Sequence, residues 1–403
     1  MKKGFPTKPL QSLCDDVKQD IVDGPFGSEL KREDYITEGI PVLKIQNVKP
    51  FAIELKKMDY VSAEKFHELR RHSFRRGDIV MTKLGSPLGV SAIVEDVEEG
   101  VIVADLVRIR AQQINTKYLC YHLNSQRTND FINSMQKGTT RPRVTLSVVR
   151  ELPIYVPPLP EQQRIVALLD EAFAGLATAK ANAEQNLQNA RAIFEGHLQS
   201  VFSQRGEGWQ EKRLEEVCGL QNGFAFKSST FKPYGVPILR ISNIQDGRID
   251  AANRIVFFDP SDYRENLDRY RIVEGDLLIA MSGATTGKLG FNTESKVYYL
   301  NQRVGKFEPT EKLNKHFLYH FLSTKVEENL RISAGTAQPN LSTEQIKGFV
   351  LPLPSVDEQE RIVDALETLS KETQRLIRLY ERKLAALEEL KKSLLHQAFN
   401  GEL

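Results

Sequence analysis

PPLPEQQRIVALLDEAFAGLATAKANAEQNLQNARAIFEGHLQSVFSQ, residues 157–204, is the stretch that decides the fold. Its apolar residues recur in steps of three and four, which is the spacing of one helical face. A helical run of about 40 residues measures about 60 Å at about 1.5 Å per residue. Such a length favours a coiled coil over an ordinary globular helix. A similar stripe closes the chain in PSVDEQERIVDALETLSKETQRLIRLYERKLAALEELKKSLLHQAFNGEL, residues 354–403. The residues predicted to pack helix against helix are Leu169, Leu176, Leu187, Phe194, Leu366, Leu376, Leu387 and Leu394.

The two halves of the chain repeat one another in order and spacing. GIPVLKIQNV from Gly39 matches GVPILRISNI from Gly235, and EQQRIV from Glu161 matches EQERIV from Glu358. Two further pairs of blocks match, GDIVMTKLGSPLG with GDLLIAMSGATTG and KGTTRPRVTLS with AGTAQPNLS. A period of about 200 residues is too long for a solenoid repeat. The sequence therefore predicts two homologous domains, each followed by its own long helix.

The predicted domains are a globule over 1–155, a helix over 156–204, a second globule over 205–352 and a second helix over 353–403. Each globule is predicted to mix strands, such as GIPVLKIQNV, with amphipathic helices. NTKYLCYHLNSQRTNDFINSM, from Asn115 to Met135, is predicted to be one such helix. The fold class is thus α+β, with two mixed α/β globules and two long antiparallel coiled-coil helices. Repeat symmetry predicts a dumbbell with a pseudo-twofold axis.

Composition limits the class of protein. The formal net charge is only +2, so any nucleic-acid surface must come from local clusters of Lys and Arg. The chain has no apolar run of 18 residues and no signal-peptide pattern, so we expect a cytoplasmic protein without membrane contact. Three scattered cysteines predict neither a disulfide framework nor a zinc knuckle. We expect Cys14 and Cys218 to be small buried groups and the matched His122 and His320 to be packing residues.

No catalytic motif is complete. GATTGK at Gly283 has three residues between its glycines instead of four, and Leu289 stands where a phosphate loop has Ser or Thr. Asp23-Gly-Pro-Phe resembles an amino-methyltransferase motif, but the second copy reads Asn222-Gly-Phe-Ala. The histidines do not fall at metal-ligand spacing. We therefore predict a chain with no catalytic residue, no metal and no cofactor of its own.

The polar residues at strand ends and in Gly-containing loops are candidates for DNA contact. In the last pair of loops the Gly-Thr and Pro residues are the same in both copies, and this shared pattern is the frame of the loop. The side chains between and after them differ, with Arg141 and Arg143 in one copy and Gln338 and Asn340 in the other. Arg reads guanine and Gln or Asn reads adenine in the major groove; the same loops could equally be turns that pack on the long helices. The candidates are Lys44, Gln46, Asn47, Arg75, Arg76, Lys83, Ser86, Lys137, Thr139, Arg141, Arg143, Arg240, Ser242, Asn243, Ser282, Thr285, Thr286, Lys288, Arg303, Thr336, Gln338 and Asn340.

The chain resembles the specificity subunit of a Type I restriction-modification enzyme. The resemblance lies in PPLPEQQRIVALLD and PLPSVDEQERIVDALE, DGPFGS and NGFAFKS, the two GD blocks, and the GTTRPRVTLS and GTAQPNLS loops, and it covers the full chain. It implies that the globules are two target recognition domains, each reading one half of a split double-stranded DNA site. The helices then set the gap and bind two modification (methyltransferase) subunits.

The resemblance also implies where the chemistry lies. S-adenosylmethionine, ATP and magnesium are expected on the modification and restriction/translocase subunits, which methylate adenine N6 and cleave DNA. Two alternatives stay open on the residues alone. One is the recognition subunit of a Type IIB-like or methylation-only system, and the other is a protein-interaction adapter that binds no DNA.

Overall fold

The computed structural model describes residues 6–27, 29–138, 140–204, 206–245, 247–252, 254–333, 340–400 and 402. The chain divides into two compact units. Met1–Glu184 and Glu381–Leu403 form the first unit, and Gln185–Tyr380 forms the second. The division falls within both long helices.

The first unit is built from short strands and helices around two four-stranded sheets. Its strands are β1 (Thr7–Pro9), β2 (Ile21–Asp23), β3 (Ile40–Leu43), β4 (Val48–Lys49), β5 (Ala52–Ile53), β6 (Asp59–Val61), β7 (Ser73–Arg75), β8 (Ile79–Thr82), β9 (Ser91–Ile93), β10 (Glu99–Ile102), β11 (Leu106–Ile109) and β12 (Pro153–Tyr155). Its helices are α1 (Val17–Asp20), α2 (Ala63–Glu68), α3 (Thr116–Leu123), α4 (Gln126–Met135), α5 (Leu146–Arg150), the first part of α6 (Leu159–Ser203) and the last part of α10 (Val356–Asn400). The two sheets have the strand orders β6-β3-β10-β7 and β2-β11-β8-β9.

The second unit repeats this arrangement. Its strands are β13 (Gln210–Arg213), β14 (Cys218–Asn222), β15 (Val236–Leu239), β16 (Ile244–Gln245), β17 (Gly247–Ile249), β18 (Val256–Phe258), β19 (Arg271–Ile272), β20 (Leu277–Ala280), β21 (Leu289–Phe291), β22 (Tyr298–Leu300), β23 (Val304–Pro309) and β24 (Val350–Leu353). Its helices are the last part of α6, α7 (Leu214–Val217), α8 (Lys315–Ser333), α9 (Thr343–Lys347) and the first part of α10. The orders β18-β15-β22-β19 and β14-β23-β20-β21 match those of the first unit, with β17 and β16 added to the second sheet.

Each globule closes on itself just before its long helix. β12 pairs antiparallel with β1, with Thr7 opposite Tyr155. In the second copy β24 pairs with β13, with Gln210 opposite Leu353. The last strand of each globule therefore lies beside its first strand. The Pro-containing segment that follows can leave the sheet directly into a helix.

Both long helices contribute to the core of the first unit. Ile165 and Leu169 of α6, and Leu395 and Phe399 of α10, belong to the same buried cluster. The Phe399 ring lies 5.4 Å from Tyr118 in an edge-on contact. The last turns of this second long helix are thus fixed in the core of the first unit.

Within the first unit the two helices run antiparallel. Lys180 Nζ lies 2.7 Å from Glu388 Oε1, and Lys391 Nζ lies 5.0 Å from the Phe173 ring. Residue numbers therefore rise along α6 as they fall along α10. Each helix has 45 residues. The prediction of mixed α/β globules with two long helices is confirmed. Among the described residues, no helix is both long enough and apolar enough to cross a membrane.

The structure departs from the sequence prediction at two places. The helix predicted from Asn115 to Met135 is broken into α3 and α4, because the Ser125 side chain accepts a hydrogen bond from Thr128 N and caps α4. Leu376 is 36% exposed, so it is not part of the packed stripe. Thr373 is buried in that region instead.

The other predicted packing residues lie on the covered face of their helices. Leu169 and Leu366 are buried, and the rest are half-buried, namely Leu176, Leu187, Phe194, Leu387 and Leu394.

Candidate nucleic-acid interface

Two matched turns follow the central strands β3 and β15. Each is a single 3-10 turn, Ile45–Asn47 in the first unit and Ile241–Asn243 in the second. Asn47 Oδ1 accepts a hydrogen bond from Lys44 N at 3.0 Å, and Asn47 Nδ2 donates to Glu54 O at 2.9 Å. Asn47 is buried. Its amide therefore holds the turn together, which argues against contact with a base.

Asn243 has the same role in the second unit. Its Oδ1 accepts from Arg240 N at 3.0 Å, its Nδ2 donates to Asp250 O at 3.1 Å, and it is buried. The prediction that Asn47 and Asn243 contact DNA is therefore not supported by the geometry. What the two turns present to solvent differs, with an exposed Gln46 in one and a half-buried Ser242 in the other.

The basic residues that begin these turns are already engaged with neighbouring groups. Lys44 Nζ forms an ion pair with Asp59 and lies 4.2 Å from the Tyr35 ring. Arg240 Nη2 donates to Arg254 O at 3.0 Å. These contacts fix both side chains at the edge of the turn.

In the first unit the structure joins two of the predicted loops into one surface. Gly85 N donates to Pro142 O at 3.0 Å, and Val144 N donates to Lys83 O at 3.0 Å. Lys137 and Arg143 form a bridge across the second loop, with both backbone hydrogen bonds made. Ser86, Lys137, Arg141 and Arg143 have exposed side chains on this surface.

Lys83 lies within the same loop pair but is mostly covered. Its Nζ is 2.7 Å from Asp23 Oδ2, and 13% of its side chain is exposed. Asp23 belongs to the DGPFGS block, so the ion pair brings that block to the loops. Lys83 therefore positions the loop more than it presents a free charge.

The second unit repeats the junction with different side chains. Ser282 forms a bridge with Asn340, and Leu341 N donates to Met281 O at 2.9 Å. Met281 N donates to Arg303 O at 2.9 Å. Thr285 Oγ1 donates to Ile241 O at 2.9 Å, which ties this loop to the Arg240–Asn243 turn. Among the described residues, the structure thus gathers predicted residues of the second unit at one edge.

Within that edge the exposure of the side chains differs. Arg303 and Asn340 are exposed, and Ser282, Thr285 and Lys288 are half-buried. Thr286 is buried, and its Oγ1 donates to Gly283 O at 2.7 Å. Arg303 and Asn340 are therefore the side chains best placed to reach a ligand. Thr139, Thr336 and Gln338 lie outside the described residues.

Arg75 and Arg76 are not part of the loop surface. Both are exposed, and Arg76 Nη1 lies 2.8 Å from Glu98 Oε1. They precede β8, whereas Lys83 follows it. A strand of four residues separates the two ends by about 13 Å at about 3.3 Å per residue. Any contact they make with DNA would be distinct from that of the loops.

One exposed residue of the loop surface was not predicted. Phe26 is 65% exposed, and its ring lies 5.5 Å from Lys83 Nζ. In the second copy, Ala225 occupies the matched place in NGFAFKS. The difference between the two copies was the one signal in the sequence that singled out this position.

Burial shifts the pKa values of the two histidines and two cysteines predicted to be packing groups. Burial lowers the pKa of His122 to about 3 and that of His320 to about 4. Burial raises the pKa of the Cys14 and Cys218 thiols to about 12. Neutral histidines and protonated thiols are packing groups, as predicted. Within the described ranges no cluster of three or more His, Cys, Asp or Glu is arranged to hold a metal ion.

A family model for the Type I restriction modification DNA specificity domain matches residues 78–188 and 206–388. These two segments together cover well over half of the chain.

Among curated relatives, the Type I restriction enzyme MjaVIII specificity subunit of Methanocaldococcus jannaschii is 27% identical over 327 residues, covering 76% of this chain and 75% of the relative. The EcoBI specificity subunit of Escherichia coli is 24% identical over 301 residues, or 68% of this chain and 63% of the relative. The EcoKI specificity subunit of Escherichia coli is 25% identical over 306 residues, which are 71% of this chain and 65% of the relative.

Solved structures share the fold along the whole chain. The HsdS subunit from Thermoanaerobacter tengcongensis superposes with a TM-score of 0.67 at 20% identity, covering 100% of this chain and 98% of its own. A chain from a study of assembly and conformational transition of the type I R-M system superposes with a TM-score of 0.77 at 20% identity, covering 100% and 99%.

Proposed function

Because the chain belongs to the Type I restriction modification DNA specificity family, we propose that each of its two globules reads one half of a split DNA target for a Type I restriction-modification complex. The chain is a specificity subunit, a non-catalytic DNA-recognition component of such a complex. This confirms the resemblance seen in the sequence. The division of the target between the globules goes further and is the proposal.

One observation carries the proposal: a shared backbone frame presents different side chains in the two units. The loop after β8 pairs with Lys137–Arg143, and the loop after β20 pairs with Asn340. The first frame exposes Arg141 and Arg143, while the second exposes Arg303 and Asn340. Arg and Asn recognise different bases through bidentate hydrogen bonds in the major groove. We therefore expect two different half-sites and an asymmetric target.

The long helices are proposed to set the distance between the half-sites. A helix of 45 residues is about 60–70 Å long at about 1.5 Å per residue. Recognition elements on a rigid connection accept half-sites at one spacing, as dimeric DNA-binding proteins do, with about 34–36 Å per turn of duplex. The non-specific gap is then bounded at roughly one to two turns.

The same helices are proposed to bind two modification subunits. Leu168, Ile193, Leu379 and Leu390 are large apolar residues on the helices, and each is more than two-fifths exposed. Exposed apolar surface of this kind is common at protein–protein interfaces. S-adenosylmethionine would be carried by the modification subunits, and ATP and magnesium by restriction subunits that join them.

Single-molecule methylome sequencing of cells that express this chain with its modification subunit tests the proposal. We expect adenine methylation at one bipartite motif with two unlike halves. Exchange of residues 1–155 for those of another family member should then change one half and leave the other. Methylation at a continuous motif, or alteration of both halves by the exchange, would contradict the proposal.

A further inference from the structure

The first unit has a basic cavity that the proposed reading of DNA bases does not use. Its volume is about 840 Å³, which is within the roughly 300–1,000 Å³ of small-ligand sites. Glu99 is the single acidic residue among the described residues that line it. The basic side chains of the lining are Lys18, Arg70, Arg71, Arg75, Arg108 and Arg110.

Arg108 is the buried member of this lining. It is 3% exposed. Nη1 donates to Ser73 O at 3.0 Å and Nη2 donates to Gln19 O. Nε has no hydrogen-bond partner in the described part of the chain. Burial, followed by the charge of Arg110, lowers the pKa of Arg108 to about 10. The guanidinium is therefore still positive at neutral pH, with an unused donor.

Asp78 and Asp20 are the carboxylates that act on the charge of Arg108, and Asp78 is used by another arginine. Arg110 Nε lies 2.6 Å from Asp78 Oδ1, and Arg110 Nη2 lies 2.8 Å from Asp78 Oδ2. Both carboxylate oxygens are thus engaged in a bidentate pair, and Asp78 also accepts from Arg75 N at 2.8 Å. Within the described residues, Arg108 donates hydrogen bonds only to backbone carbonyls. A buried charge without a paired counter-charge is unfavourable unless an ion from outside supplies it.

The second unit has a lysine, Lys306, at the place that matches Arg108, and a neighbouring carboxylate pairs with it. Arg108 pairs in register with Val22, and Lys306 pairs with Gln221 at the equivalent place. Lys306 Nζ donates to Arg271 O at 3.2 Å, as Arg108 donates to Ser73 O. Lys306 also lies 3.3 Å from Glu308, which stands where the first unit has Arg110. The excess positive charge therefore belongs to the first unit alone among the described parts of the two copies.

We propose that this cavity of the first unit binds a phosphate-bearing anion. Guanidinium groups present planar forks that match the oxygens of phosphate. Arg108 contributes a buried positive charge to the lining, and the exposed Arg70 and Arg71 supply guanidinium groups that can reach the anion. The anion is either a phosphodiester of the DNA backbone or a free phosphate ester; the first source rests on the proposed function and the second does not.

Titration of inorganic phosphate into the full chain tests the proposal, with sodium chloride added to hold ionic strength constant. We expect saturable binding in calorimetry and a raised thermal midpoint. Arg108→Gln should abolish both effects. Because that variant removes a buried group and could fail to fold, the exposed double variant Arg70→Gln/Arg71→Gln is measured beside it and should weaken phosphate binding at least about tenfold, by loss of two charge-assisted contacts.

Lys306→Gln is the matched control and should leave phosphate binding unchanged. Absence of binding beyond the chloride effect in the unaltered chain overturns the proposal. So does binding that survives in both arginine variants. These outcomes do not depend on the methylome result, so failure of the cavity and failure of the proposed function are distinguishable.

A second measurement separates the two sources of phosphate. The slope of log affinity against log salt is measured on a non-specific duplex. If phosphate competes with DNA and the double variant lowers the slope by about 0.9 per lost contact, the cavity binds the DNA backbone. If phosphate binds while the slope is unchanged, the cavity binds a free phosphate ester.

Discussion

Gln162 Oε1 accepts a hydrogen bond of 2.8 Å from the backbone N–H of Asn115. The Gln162 side chain is buried, and its Nε2 donates to Pro157 O at 2.8 Å. The second copy repeats the arrangement, with Gln359 accepting from Asn314 N at 2.8 Å and donating to Pro354 O at 3.0 Å. The glutamine of each EQ block thus fastens the start of a long helix to its own globule.

Gln162→Ala should lower the free energy of unfolding by about 1–3 kcal/mol, because it removes the partner of the partly buried Asn115 N–H and of the buried Pro157 carbonyl. Urea unfolding followed by circular dichroism measures the change. Gln163 is the exposed neighbour on the same helix. Gln163→Ala is the control, and it should stay within about 0.5 kcal/mol of the unaltered chain. Equal losses of unfolding free energy in the two variants would show that the hydrogen bonds of Gln162 do not stabilise the fold.

Gln46 and Asn47 are adjacent in the chain but are expected to respond differently. Gln46→Ala removes an exposed side chain and should relax discrimination at one base pair by about 1–3 kcal/mol. Asn47→Ala removes the buried side chain that holds the turn together and should cost about 1–3 kcal/mol of stability. It should therefore weaken binding to all DNA sequences by the same factor. Binding to duplexes that vary one base pair at a time separates the effects. A changed base preference in the Asn47 variant, at unchanged stability, would reverse our assignment.

Arg141 and Arg143 are expected to read bases of one half-site. Alanine at either position should cost about 1–3 kcal/mol of binding free energy and relax the target at one position. The methylated motif of each variant should therefore become degenerate at one base in one half, with the other half unchanged. Asn340→Ala, at the position of the second unit that matches Arg143, is the comparison and should relax the opposite half-site. An equal loss of binding free energy on all DNA sequences would show that Arg141 and Arg143 contact the phosphate backbone and not the bases.

Acid should destabilise the chain through His122. Its folded pKa, about 3, lies below the ordinary value of 6.5 because the ring is buried. Between these values the unfolded state binds the proton and the folded state does not. The contribution of His122 to the free energy of unfolding is therefore fully present above pH 6.5. It falls by about 1.4 kcal/mol per pH unit below that value.

Urea unfolding from about pH 7.5 to about pH 5.5 measures this slope. His122→Gln should flatten the slope by about one proton, even if the variant is less stable at every pH. The same substitution at the exposed His197 is the control and should leave the slope as it was. An unchanged slope in His122→Gln would contradict the neutral buried state of His122.

Local patterns made the architecture predictable. The spacing of Leu169, Leu176 and Leu187 is set by the helical period, and the repeated blocks are visible in the sequence without any tertiary contact. The break before α4 was missed because the Ser125 cap competes with continuation of the helix, and helical spacing alone does not resolve that competition. The exposure of Leu376 was missed because the buried face passes through Thr373, a residue that an apolar stripe does not count.

The sequence predicted which loops hold the candidate site better than it predicted what each side chain does there. A single 3-10 turn directs Gln46 outward and Asn47 inward, and two adjacent polar residues look alike in a sequence. Arg108 lies in the strand segment LVRI, whose burial depends on pairing with β2 and β8 on its two sides. The cavity that it lines therefore follows from tertiary structure, as does the position of Phe26 beside Lys83.

The central claim is that the globules read the sequence while the long helices set the gap. Insertion of about four residues, near one helical turn, between Glu184 and Gln185 and between Tyr380 and Glu381 lengthens each helix by about 6 Å. This corresponds to about two base pairs at about 3.4 Å each. Single-molecule methylome sequencing of cells that express this variant with the modification subunit is the direct measurement. We predict the same two half-sites separated by a longer gap; active methylation with an unchanged gap would contradict the claim.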